Sequence, residues 1–239
     1  HVVTPGTVRA MCAEARRPDP ADPTAGPAAA VRVHPALVAL ARELTGGSIE
    51  VVAMAGAYPS GLSRLEVRAA DIEDARLQGA DVVDTVLNTS AFSSGRFDEV
   101  VADLEACREA AGDAGFRVSI EADEPGSLGA IRHATQLAID AGARWIGAST
   151  GAMAPPTTPA SIHTIAGVIA AQADARNVPV GLAITGDVTT ASQALGHVRL
   201  VDALLGADWL TPDRLRLGGP GLLGAVLADI VETEASLRG

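Results

Sequence analysis

Short β-branched runs alternate along the chain with Ala-rich stretches whose apolar residues recur every three to four positions. That alternation predicts repeated strand–helix units around a parallel sheet. Strands are expected near Ala29–His34, Glu50–Met54, Val82–Asn88, Arg117–Glu121, Trp145–Ser149, Val180–Thr185 and Arg214–Leu217. Between the third and fourth, the segment SSGRFDEVVADLEACREAAG places Phe97, Val100, Val101, Leu104 and Cys107 on one helical face, so Cys107 is expected in the core. A Gly-Ala step recurs after a helix and before a strand at Gly79, Gly142 and Gly206, spaced 63 and 64 residues apart. Glycine suits the left-handed turn that ends a helix, and two strand–helix units per interval is the internal period of a (β/α)8 TIM barrel. A doubly wound α/β sheet is the runner-up. Seven strands can be counted, so the first strand of the barrel is expected to be absent or fragmentary. The proline-rich stretch 16–30 disallows helix and reads as the link between the first helix and the next strand. One domain spanning residues 1–239 follows from the length.

Composition changes the picture mainly by what it removes. No apolar run approaches the roughly 20 residues needed to span a bilayer, the opening residues do not resemble a signal peptide, and two cysteines make no disulfide framework. A soluble, cytoplasmic protein is expected. The net charge of -11 opposes binding to nucleic acid and to anionic membranes. All 18 basic residues are arginine, so no lysine of this sequence can form a Schiff base.

Barrel chemistry sits at the carboxyl ends of the strands. The polar residues expected there are Arg32 and His34, Tyr58, Asp84 and Asn88, Glu121 and Asp123, Ser149 and Thr150, and Thr185 and Asp187. The stretches AAVRVHPALVALAREL, GADVVDTVLN, FRVSIEAD, AGARWIGASTG, VGLAITGDVTTASQAL and LLGADWLTPDRLRLGGPGLL resemble deoxyribose-phosphate aldolase, the DeoC family of lysine-dependent class I aldolases, in the family's order and over nearly the whole chain. The resemblance implies a (β/α)8 barrel and reversible cleavage of 2-deoxyribose 5-phosphate to acetaldehyde and glyceraldehyde 3-phosphate. It also exposes departures. Gly147, in GASTG, stands where the family has its Schiff-base lysine, and Ala183 stands where the family has the lysine that activates it. Only the relay aspartate is kept, as Asp84. Where the family holds the substrate phosphate, this chain carries Ala152, Gly186-Asp187, Thr189 and Pro220-Gly221, each change removing a donor or a positive charge.

From these residues, Asp84, Glu121, Arg32 and His34 are the candidate catalytic set. Ser149, Thr150, Gly151, Thr185, Gly186, Asp187, Gly219 and Gly221 are the candidate ligand-binding set. An inward Arg32 needs a carboxylate, so a salt bridge to Asp84 or Glu121 is expected, and Glu121 is expected to pair with Arg32 or Arg117. No His-x-His or Glu-x-x-His pair is present, so no metal and no cofactor are expected, with a divalent cation held by His34, Asp84 and Glu121 kept as a minor alternative. GASTG is not a G-x-S-x-G nucleophile elbow, and GGPGLLGAV lacks the acidic partner of a dinucleotide loop. Three functions remain open. The first is a pseudo-aldolase acting as a small-molecule binder or as partner of an active aldolase paralogue or of its own copies. The second is an enzyme with reassigned acid–base or metal-assisted chemistry on an unphosphorylated carbonyl compound. The third is an ordinary aldolase that borrows a lysine from another chain.

Overall fold

The computed structural model describes residues 3–19, 22, 26–121, 126–152, 157–176, 180–186 and 188–238. Seven parallel strands lie in one sheet in sequence order: β1 (Ala30–Val33), β2 (Glu50–Met54), β3 (Val82–Val86), β4 (Gly115–Ser119), β5 (Trp145–Gly147), β6 (Gly181–Thr185) and β7 (Leu215–Gly218). Each expected strand is present, trimmed by one or two residues at half of the ends, with β4 beginning two residues earlier and β7 ending one residue later. Helices alternate with them: α1 (Pro5–Arg16) before β1, then α2 (Val38–Thr45), α3 (Leu65–Leu77), the short α4 (Thr89–Ser93), α5 (Phe97–Ala111), α6 (Leu128–Asp140), α7 (Pro159–Arg176), α8 (Ala191–Leu205) and α9 (Leu222–Arg238). Among the described residues no strand lies between β7 and β1. The sheet curls all the same, because side chains from distant strands meet inside it: Arg32 of β1 reaches Thr185 of β6, and Arg216 of β7 reaches Glu50 of β2. The fold is a TIM-barrel-like α/β architecture.

Period-two alternation divides each strand into residues facing the helices and residues facing the barrel interior. Val31 and Val33, Val83, Phe116 and Val118, and Leu182 and Ile184 are among the core hydrophobics buried on the helix side. Their strand neighbours of opposite parity, Arg32, Asp84, Arg117, Ser119, Gly147 and Ala183, turn inward. Register places these inward residues at neighbouring levels, with Asp84 opposite Arg117, Ser119 opposite Gly147, Gly147 opposite Ala183, and Ala183 opposite Arg216.

Helix ends follow the sequence. Thr4 and Thr190 close capping boxes at the starts of α1 and α8, and Gly79, Gly142 and Gly206 all have positive φ after their helices, as the repeated Gly-Ala step predicts. On α5, Val100, Leu104 and Cys107 are buried as expected, while Phe97 sits at the rim and packs at a tilt against the His133 ring, 4.4 Å between centroids. The same buried face includes Asp103, whose carboxylate pairs with the fully buried Arg68 of α3. No described helix is long and apolar enough to cross a membrane.

Candidate active site

The inward residues of β1, β3, β4 and β6 build a charged cluster around Asp84, which is fully buried. Asp84 Oδ2 accepts from Arg32 Nη1 at 3.1 Å, and Oδ1 accepts from the Ser119 hydroxyl at 2.8 Å. Arg117 Nε lies 3.3 Å from Oδ1, a charge contact without the alignment of a directed hydrogen bond. Both carboxylate oxygens therefore already face donors. The salt bridge expected for Arg32 goes to Asp84.

Thr185 ties the two arginines together. Its Oγ1 accepts from Arg32 Nη1 at 3.1 Å and from Arg117 Nη2 at 2.7 Å. Arg32 Nη2 also donates to the Thr150 carbonyl at 2.8 Å, the same oxygen that accepts from the Tyr58 hydroxyl at 2.8 Å. Tyr58 lies over the Arg32 guanidinium, 5.5 Å from ring centroid to Cζ. Burial, reinforced by the Asp84 charge, raises the Tyr58 pKa, so its phenol is a neutral donor and not a base. Burial also lowers the Arg117 pKa against the opposing pull of Asp84.

Gly147, where the resemblance expects a lysine, sits beneath this cluster. A β-carbon there would fall inside contact distance of the Ser119 hydroxyl and 2.9 Å from both Nε and Nη2 of Arg117. The Arg117 guanidinium thus fills the space a side chain at 147 would need. Ala183, where the resemblance expects the second lysine, is fully buried beside it.

Glu121 is expected to pair with Arg32 or Arg117. Those two arginines instead lie against Asp84, and the buried Glu121 carboxylate accepts the Thr150 backbone N–H. Its positive φ of 47° places it just past β4, where the chain turns out of the sheet. His34 lies one residue past the end of β1, is exposed, and precedes the short 3-10 turn Pro35–Leu37. The structure does not bring it into the Asp84 cluster. Among the described residues no three His, Cys, Asp or Glu side chains come close enough to hold a metal ion.

The candidate ligand-binding residues divide by what their donors do. The Gly151 N–H is used by the Ser149 hydroxyl at 2.9 Å, the Ala152 N–H by the Thr150 hydroxyl at 3.1 Å, and the Gly186 N–H by the Gly218 carbonyl at 2.7 Å. The backbones of Gly151 and Gly186 touch directly, and a β-carbon on either would collide with the other's Cα. Gly219 packs on the Val188 carbonyl in the same manner, and Gly221 lies just before α9. Asp187 lies outside the described residues.

The sequence pattern lists Tyr58 among the strand-end polar residues and Arg117 as a possible partner of Glu121, but puts neither in the candidate sets, and it leaves Ser119 and Arg216 aside altogether. Arg216 bonds Glu50 at 2.6 Å and lies over the Trp145 ring, 4.2 Å from its centroid. A usable signal was present: Arg32, Arg117 and Arg216 each stand between two apolar residues within a strand, in V-R-V, F-R-V and L-R-L. In a strand whose apolar parity faces the helices, that pattern turns the arginine inward.

A family model described as DeoC/LacD family aldolase matches residues 7–192. Among solved structures, the chain is similar to the aldolase QR15, with 23% identity and a TM-score of 0.77, covering 98% of this chain and 92% of the other. A putative deoxyribose-phosphate aldolase from Toxoplasma gondii is 18% identical with a TM-score of 0.79, covering 98% and 88%. The tetrameric deoxyribose phosphate aldolase from Aeropyrum pernix is 19% identical with a TM-score of 0.71, covering 95% and 85%. These likenesses establish the fold.

Proposed function

The chain belongs to the DeoC/LacD family of aldolases, and from that premise we propose that it is a pseudo-aldolase: a barrel that has given up Schiff-base chemistry and binds a small molecule at its strand ends. The observation that carries this reading is the filling of the Gly147 space by Arg117 and Ser119. A class I aldolase needs an amine free to attack a carbonyl at that place, whereas this chain has no lysine at all. The charge that replaces it is a guanidinium, which stays protonated and is no nucleophile.

The loops support the same reading. An anion nest needs backbone N–H groups aimed at the ligand, and those of Gly151, Ala152 and Gly186 are spent inside the protein. A phosphorylated sugar in the family's pose would find few donors there. Asp84, the one retained member of the relay, holds two arginines in place instead of moving a proton. Assembly with further copies of itself belongs to the same proposal, since the Aeropyrum pernix enzyme is a tetramer.

The test is retro-aldol turnover of 2-deoxyribose 5-phosphate by the isolated full chain, with and without borohydride and with and without added divalent metal. The expected result is no acetaldehyde and no borohydride-trapped adduct under any condition. Gly147→Lys alone restores neither, because Arg117 and Ser119 occupy the room. Turnover by the unaltered chain overturns the reading, and turnover abolished by chelator would assign metal-assisted chemistry in its place.

A further inference from the structure

Resting on the reading of this barrel as a binder, we infer that its ligand is a short-chain monocarboxylate, bound between the guanidinium groups of Arg117 and Arg32.

Arg117 is the reason. Its side chain is buried to 5% exposure, yet among the described residues it makes a single hydrogen bond, from Nη2 to the Thr185 hydroxyl. Its Nε is buried with no acceptor in line, and Nη1 makes no hydrogen bond to a described residue. A guanidinium carries five donors, and leaving the buried Nε without an acceptor in line is costly. Arg32 converges on the same Thr185 oxygen from β1 and keeps its Nε uncommitted. Two planar cationic forks meeting at one hydroxyl are suited to a planar anion with two equivalent oxygens.

The neighbouring charges restrict that anion to a single negative charge. Asp84 offsets one of the two arginines, and the Glu121 carboxylate lies close by at Thr150, so the cluster has little positive charge to spare. A dianion would be opposed by both carboxylates. Size is restricted as well, since Arg117 fills the space at Gly147, and the Trp145 ring fills that at Gly181. The Arg32 side chain, packed on the Tyr58 ring, keeps 22% of its surface exposed and so links the cluster to solvent. The neutral Tyr58 phenol adds no charge against an anion there.

The full chain is titrated with sodium acetate and sodium lactate, against sodium chloride and inorganic phosphate at matched ionic strength, by calorimetry and by melting temperature. Acetate and lactate are expected to bind saturably and to raise the melting temperature, chloride to do neither, and phosphate to bind more weakly than acetate. Arg117→Met and Arg32→Gln should each weaken acetate binding by about tenfold or more. If Arg117→Met fails to fold, Arg32→Gln decides alone. Phosphate binding as tightly as acetate, acetate affinity unchanged in the folded variants, or no saturable carboxylate binding at all each overturns the proposal. Failure here is distinct from failure of the pseudo-aldolase reading, which falls only if the chain turns over or traps the sugar phosphate.

Discussion

Two buried arginines sit about one layer apart in this protein and are treated in opposite ways. Arg68, between the sheet and α5, is fully buried and satisfied on every side: Nε donates to the Gly56 carbonyl at 3.0 Å, Nη1 to Asp103, and Nη2 to the Thr85 hydroxyl at 3.1 Å and the Val86 carbonyl at 2.6 Å. Arg117, inside the barrel, is nearly as buried and has one directed bond. The same fold can therefore provide acceptors for all three nitrogens of a guanidinium. Where it does so, the arginine is an internal strut linking α3, α5 and β3. Where it does not, Nε and Nη1 are left without a directed bond among the described residues.

The comparison breaks first on stability. Removing Arg68 leaves Asp103 buried without its cation, and Asp103 already resists ionisation because of its burial. Arg68→Met should therefore cost about 3–5 kcal/mol in urea unfolding. A loss below about 1 kcal/mol would show that the strut is dispensable. A smaller effect in the same layer is a pH dependence. Burial pushes the Cys107 thiol up to about 11 from an ordinary value of 9.0. Between those values the unfolded chain gives up its proton and the native chain keeps it, so native stability falls as pH rises through the window. From pH 9 to pH 10 the unaltered protein should lose on the order of 1 kcal/mol more than Cys107→Ala does, and parallel slopes would remove Cys107 as the cause. The smallest effect is the sharpest contrast. Arg117→Met removes an under-bonded charge while Asp84 keeps Arg32 and Ser119, so unfolding free energy should shift by less than about 1 kcal/mol or rise. A loss matching that of Arg68→Met would erase the distinction between the two sites.

Much of the scaffold was legible because period-two and period-3.6 patterns are local. VRV, VVDTV and GLAIT announce their strands, and the Gly-Ala steps announce the helix ends. The Arg32–Asp84 bridge was legible too, since an inward arginine demands a carboxylate. The choice among partners was not. Arg32, Arg117, Asp84 and Glu121 could be paired in several ways, and strand register with the turn at Glu121 decides which atoms meet. Asp103 escaped for a different reason. An acidic residue in an Ala- and Glu-rich helix reads as solvated, and only the position of Arg68, 35 residues earlier, shows that it is buried. His34 was read as inward by strand parity, but parity ends with the strand at Val33.

The bond from Arg216 to Glu50 spans 166 residues of chain. It can form only after the four intervening strands, β3 to β6, have been laid down, so it reports completion of the curl and not its beginning. Contacts of such separation carry a large loop-closure cost and are made late. During synthesis the amino-terminal strands must therefore wait, with one flank of the sheet open, until nearly the whole polypeptide has left the ribosome.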